Sequence, residues 1–124
     1  MKRLFQTGAV ALALASPAAA PAQDAGDWVL ARWQGGSDWY PGVVQSHIGN
    51  QVTILYDDGT RETLPANLVR RYDWRVGTRV VCRFGDGNWY AAAITGMAAD
   101  GATISVRYDD GDSEVTQTGR CRSE

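Results

Sequence analysis

Hydrophobic and polar positions alternate along this chain with a period of two. Ile104, Val106 and Tyr108 are interleaved with Thr103, Ser105 and Arg107, and Val52, Ile54 and Tyr56 repeat the pattern earlier. Successive side chains of a strand point to opposite faces, so this alternation predicts half-buried strands. Val29, Ala31 and Trp33 share one face and match Val80, Cys82 and Phe84; Tyr40, Gly42 and Val44 match Tyr90, Ala92 and Ile94. No segment sustains a helical stripe. Asp58-Gly59 and Asp110-Gly111 are hairpin turns by residue type, because Asp and Gly tolerate positive φ cheaply. Gly35-Gly36 and Gly85-Asp86-Gly87 turn the hairpins before them.

The pattern occurs twice. Ala31-Arg32-Trp33, Asp38-Trp39-Tyr40, Tyr56-Asp57-Asp58-Gly59, Glu62 and Val69-Arg70 return as Cys82-Arg83-Phe84, Asn88-Trp89-Tyr90, Tyr108-Asp109-Asp110-Gly111, Glu114 and Cys121-Arg122. The offset is 51 at the start, 50 at Trp-Tyr and 52 from Tyr-Asp-Asp-Gly onward, which means length changes in loops. Each unit spans about 45 residues; two copies are too few for a closed propeller, so two small domains in tandem are expected. Residues 23–72 form the first and 73–124 the second, with Tyr72 to Val76 as a linker short enough for the units to touch. Each unit reads as four or five short strands curled into a small barrel.

The first 22 residues stand apart. Lys2 and Arg3 precede an uncharged apolar run, Leu4 to Ala15, then Ser16, Pro17 and the small residues up to Ala22. This is the layout of a bacterial-type secretory signal peptide, with Ala20-Pro21-Ala22 as the cleavage site. The run is shorter than the roughly 18 apolar residues of a membrane anchor, and no Cys lies near the cut to carry a lipid. Segment 1–22 is therefore expected to be removed, leaving a periplasmic or secreted protein with no membrane anchor.

Composition narrows the function. A chain of 124 residues with 44% hydrophobic and 21% charged positions is globular and too short for a large multidomain enzyme. Its net charge is −2; loss of Lys2 and Arg3, with no acidic residue before the cut, takes it to −4. The only lysine goes with the leader. Nonspecific nucleic-acid binding depends on neutralising phosphates with basic side chains, so no nucleic-acid partner is expected.

The residues also carry a family resemblance. Ala31-Arg32-Trp33, Trp39-Tyr40-Pro41-Gly42-Val43-Val44, Ile54-Leu55-Tyr56-Asp57-Asp58-Gly59, Glu62, Leu64-Pro65 and Leu68-Val69 together resemble a Tudor domain, and the second unit resembles one as well. The resemblance implies an all-β fold of two five-stranded, SH3-like barrels in tandem. It also implies a non-catalytic binding module, often for methylated lysine or arginine, with an aromatic cage at each barrel mouth. Carried over by position, the first cage is Trp33, Tyr40 and Tyr56 with Asp58 at its rim; the second is Phe84, Tyr90 and Tyr108 with Asp110. Aromatic faces attract a weakly hydrated methylammonium, and a rim carboxylate adds a charge-assisted contact. The position after the turn glycine, often a further aromatic in the family, is Thr60 or Asp112 here, so each cage is expected to be open on one side. A second reading stands beside this one. The same alternation puts Tyr40, Tyr56, Tyr90 and Tyr108 on inward faces, where they would simply fill the core.

Cys82 lies in the first strand of unit two, and Cys121 aligns with Val69 near its last strand. In barrels of the kind implied, those strands are neighbours, which brings the two sulfurs within reach of a disulfide. Unit two has Thr116 and Arg120 where unit one has Leu64 and Leu68, so a bridge would offset weaker packing of its closing strand. Trp39 and Trp89, opposite Tyr40 and Tyr90 in the alternation, face outward or into the contact between units. Trp28 and Trp74 pack the entry to the first unit and the linker.

Catalysis finds little support. His47, the sole histidine, falls on an expected solvated loop without a triad. Asp57-Asp58 and Asp109-Asp110 lack EF-hand spacing, and no glycine cluster precedes a helix as a phosphate loop requires. No catalytic residue, metal or cofactor is expected. The expected function is binding of a peptide or protein segment through a cationic or methylated side chain. The alternative is a structural envelope module with an aromatic core, contacting cell-wall glycan.

Overall fold

β-branched and aromatic residues at every second position suit a pleated, half-buried surface, and they build ten strands in two sets of five. The computed structural model describes residues 23–124; the segment read above as a leader lies outside the described residues. The first set is β1 (Trp28–Ala31), β2 (Tyr40–Ile48), β3 (Gln51–Tyr56), β4 (Arg61–Pro65) and β5 (Val69–Arg71). The second is β6 (Arg79–Arg83), β7 (Trp89–Met97), β8 (Thr103–Tyr108), β9 (Ser113–Gln117) and β10 (Cys121–Arg122). The sheets run β4-β3-β2-β1-β5 and β10-β6-β7-β8-β9, the same order in each. All pairings are antiparallel, and the first and last strands of each set are neighbours.

Matching irregularities bend the two sheets alike. The ladder slips by one residue between Val44 and Ser46 in β2 and between Ile94 and Gly96 in β7. Such a bulge kinks a strand and increases its twist, so each nine-residue strand curves over its own core. The turns after β3 and β8 also correspond: Tyr56 N–H donates to the Thr60 carbonyl and Tyr108 N–H to the Asp112 carbonyl. Gly59 and Gly111 take φ of +95° and +99° in them, a conformation nearly closed to other residues. Gly42 answers a different demand. A β-carbon there would sit 2.7 Å from the Leu55 carbonyl oxygen, because β2 and β3 approach closely at that point.

Unit one packs Val29, Ala31, Val44, Val52, Ile54, Leu64 and Val69 beneath its curled sheet. The second core takes its own Val80, Ile94, Ile104 and Val106, and adds Leu30 from β1 together with Tyr72 and Trp74. β1 is thus buried on both faces, where simple alternation placed only Val29 and Ala31 inward. The expected linker is likewise more than a tether, since Tyr72 and Trp74 are core side chains. The Trp74 indole N–H donates to the Ser123 hydroxyl at 2.7 Å.

Further contacts join the units. Trp39 and Ser123 exchange two backbone hydrogen bonds of 2.7 and 2.8 Å, carrying the edge of the second sheet onto the start of β2. The Trp28 ring lies over Gly101, where a β-carbon would fall 2.0 Å from it. The 3-10 turn Thr118–Arg120 seats Gly119 against the Asp57-Asp58 backbone. There the buried Thr118 hydroxyl donates to Asp57 at 2.6 Å. Asp57 keeps part of its surface in solvent, yet loss of water around its carboxyl raises its pKa, while the Thr118 bond opposes the rise.

Cys82 and Cys121 sit directly opposite each other in the β6–β10 ladder and are joined as a disulfide. They occupy the place of the Ala31–Val69 pair in unit one. Thr116 is as buried as Leu64, its counterpart, and Arg120 donates to the Arg83 carbonyl at 3.1 Å. Two local expectations are corrected. His47 lies in β2 rather than on a loop, with Nδ1 3.1 Å from the Gln23 carbonyl oxygen. Trp33 opens a 3-10 turn, Trp33–Gly35, instead of ending the first strand. Gln34 takes φ +52° in that turn, which breaks the extended backbone.

Candidate functional site: two aromatic mouths

Each unit carries its repeated aromatics at one end of the sheet, where the β1–β2 or β6–β7 connection meets the turn after β3 or β8. In unit one, Trp33, Tyr40, Tyr56 and Asp58 line a cavity of about 180 Å³ with Pro41, Thr60 and, from unit two, Arg83 and Gly119. In unit two, Phe84, Tyr90, Tyr108 and Asp110 line a cavity of about 140 Å³ with Asp86 and Asp112. Thr60 and Asp112 thus take the open sides.

Ring geometry is that of walls rather than stacks. Phe84, Tyr90 and Tyr108 stand mutually near-perpendicular, at 87°, 89° and 88°, with centroids 5.5 to 6.3 Å apart. Tyr40 stands 67° from Trp33 and 85° from Tyr56. Edge-to-face contacts of this kind stabilise aromatic pairs. Burial separates floor from wall. Tyr56 and Tyr108 are each 4% exposed and belong to the cores, whereas Trp33 is 43% and Tyr90 41% exposed. Uniform core filling by the four tyrosines is therefore corrected: Tyr90 is a surface residue, and Tyr40 is only half-buried.

Polar partners fix the rings. Tyr56 donates its hydroxyl to Glu62 at 2.7 Å, and the same Glu62 oxygen accepts the Gln34 N–H at 2.9 Å. One carboxylate thereby holds the floor of the first mouth and the turn that carries Trp33. Tyr108 donates to Glu114 in the equivalent bond. Burial, reinforced by these carboxylates, raises both phenols well above the usual tyrosine range, so both donate and stay neutral. Tyr90 donates to Asp86 at 2.6 Å. That bond, with the Asn88 N–H, holds the Asp86 carboxyl below the usual range and keeps it charged.

Glu62 and Glu114 were visible in the sequence only as part of the repeated Tyr-Asp-Asp-Gly-x-x-Glu spacing, which gave no hint of their work. Asp112 was placed only at the open side of the second mouth, and Asp86, Arg83 and Arg122 were not singled out for the mouths at all. Arg122 comes from β10 of unit two: it donates to the Tyr40 hydroxyl at 3.0 Å and stacks on Trp89 at 4.1 Å. Its Nε also lies 3.4 Å from Asp38. Arg32 and Arg70 both lie over the Trp39 ring, at 5.1 Å and 4.5 Å. Both tryptophans are half-buried around the contact between units, not free platforms.

The mouths differ in charge. The second is ringed by three carboxylates, Asp86, Asp110 and Asp112. The first carries one carboxylate, Asp58, and one guanidinium, Arg83. Asp58 is partly committed, since its Oδ1 accepts both the Thr60 N–H and the Thr60 hydroxyl. Among the described residues, no group of three or more His, Cys, Asp or Glu is arranged to hold a metal ion.

No protein-family model and no curated protein matches the chain. Among solved structures, it is similar to the tandem Agenet domain 3-4 of ADCP1, at 15% identity and a TM-score of 0.38, over 82% of this chain and 80% of that one. It is also similar to AGD34 of Arabidopsis thaliana AGDP1, at 15% identity and a TM-score of 0.40, over 82% of each chain.

Proposed function

We propose that this protein is a non-catalytic binding module, and that its second mouth receives a methylated, positively charged side chain of a peptide or protein partner. One observation carries the reading: three mutually perpendicular rings and three carboxylates converge on the same small cavity. A methylammonium is held by ring faces, each such contact contributing about 0.5–2 kcal/mol as water is excluded. The carboxylates add attraction that a neutral group of the same shape does not feel. With its leader removed, the protein works outside the cytoplasm, where its disulfide persists. A glycan-stacking role has less support, because the two tryptophans that would supply the platform are engaged by arginines at the contact between units.

The test is calorimetric titration with a trimethyl-lysine peptide and its neutral isostere, in which carbon replaces the nitrogen. The charged peptide is expected to bind at least ~10-fold more tightly. Tyr90→Ala is expected to remove a comparable factor while leaving the denaturation midpoint in place, because the ring is a surface wall. Equal affinity for both peptides, or an unchanged affinity in Tyr90→Ala, would show that the mouth is not a cation cage.

A further inference from the structure

The first mouth repeats the aromatic walls of the second but not its charge. We infer that it selects a zwitterion: a methylated ammonium joined, a few bonds away, to a carboxylate or phosphate. The inference deepens the proposed function, since it rests on the same attraction of ring faces for an onium group.

Three observations lead to it. Trp33, Tyr40 and Tyr56 supply the onium walls, and Asp58 supplies a single carboxylate already shared with Thr60. Arg83 from the other unit lines the same cavity. Among the described residues it forms no ion pair. Nor does Arg83 occupy the cage itself. The arginines stacked on aromatic rings are Arg32, Arg70 and Arg122, whereas the Arg83 Nε is turned to the Gly87 carbonyl at 3.3 Å. Arg122 lies over the Tyr40 ring at 6.0 Å, but among the described residues no arginine stacks on Trp33 or Tyr56, and the Arg83 guanidinium, without an ion pair, lines the same cavity. A simple cation meets repulsion there. A ligand that brings its own anion meets a planar donor fork suited to carboxylate or phosphate.

The mouth is also composite. Gly119 closes one side and Arg122 fixes the Tyr40 hydroxyl, both from unit two. Unit one alone lacks the anion-binding half of the site, which explains how two copies of one repeat can differ in ligand.

The experiment is an NMR titration of the whole protein, following the Trp33 indole N–H for the first mouth and the Phe84 ring for the second. The probes are tetramethylammonium, glycine betaine and phosphocholine. Glycine betaine or phosphocholine is expected to bind at the first mouth at least ~5-fold more tightly than tetramethylammonium. Arg83→Gln is expected to abolish that preference by weakening the zwitterions and not the simple cation. Sedimentation with choline-phospholipid vesicles then separates the sources: co-sedimentation identifies a lipid headgroup, and its absence, with free betaine or phosphocholine bound, identifies a soluble one. Tetramethylammonium binding at the first mouth as tightly as the zwitterions, or an intact preference in Arg83→Gln, would overturn the inference. Should the second mouth fail to bind any cation while the zwitterions still shift Trp33, the proposed function falls and this inference stands.

Discussion

Replacing Cys82 and Cys121 together by alanine is expected to lower the free energy of unfolding by roughly 2–4 kcal/mol, the usual worth of a bridge closing a loop of this length. The two cysteines are 39 residues apart in sequence and wholly buried. The strand they secure is short: β10 pairs with β6 only through Cys121 and Arg122. Just beyond the bridge come the groups that join the units. Arg122 donates to Tyr40, and Ser123 pairs with the Trp39 backbone while its hydroxyl accepts the Trp74 indole N–H within unit two. Loss of the bridge should therefore do more than shift a midpoint. Amide exchange at Trp39 and Ser123 is expected to accelerate before the rest of either sheet opens. Denaturation with and without reductant, alongside the double variant, checks both effects. An unchanged midpoint would mean that packing around Thr116 and Thr118 holds the closing strand unaided.

Leu30→Ala is expected to cost about 2–5 kcal/mol, the range for a fully buried leucine whose cavity cannot collapse. The consequence reaches across the repeat. Leu30 lies in a strand of unit one yet packs in the second core with Tyr72, Trp74 and Val80. Units of about 45 residues are near the lower limit for an independent core, and here the second core is completed by Leu30 of unit one. The intact protein is expected to unfold in a single calorimetric transition, and Leu30→Ala to lower it or split it in two. Two separate transitions in the unsubstituted protein, with only one sensitive to Leu30, would show that the shared core does not couple the units.

Strand positions and the repeat were legible because they rest on local rules. Alternation at Ile104, Val106 and Tyr108 and the Asp-Gly turns each follow from a few neighbouring residues. The matched offsets then made the second sheet a copy of the first. The grouping of Trp33, Tyr40, Tyr56 and Asp58, and of Phe84, Tyr90, Tyr108 and Asp110, came from the family resemblance, not from periodicity. What stayed hidden depends on contacts between units. Leu30 breaks the alternation because a second core lies on its far side, and no property of the strand itself says so. Arg83 and Arg122 read as ordinary surface arginines until the two sheets are placed together. Tyr90 and Tyr108 share a pattern in the sequence, yet one is wall and the other floor. The difference arises because Tyr108 reaches the core and bonds Glu114, while Tyr90 bonds the exposed Asp86.

In the proposed function, the second mouth holds a cation by its rings and carboxylates together. This is tested most directly by titrating a trimethyl-lysine peptide into the whole protein while following the Phe84, Tyr90 and Tyr108 ring protons, and repeating the titration with Asp86→Asn and Asp112→Asn combined. Upfield shifts of the methyl signal, saturable changes at all three rings, and an affinity reduced at least ~5-fold by the paired substitution are expected. Saturable binding that leaves these three rings unmoved, or no binding at millimolar peptide, would contradict it.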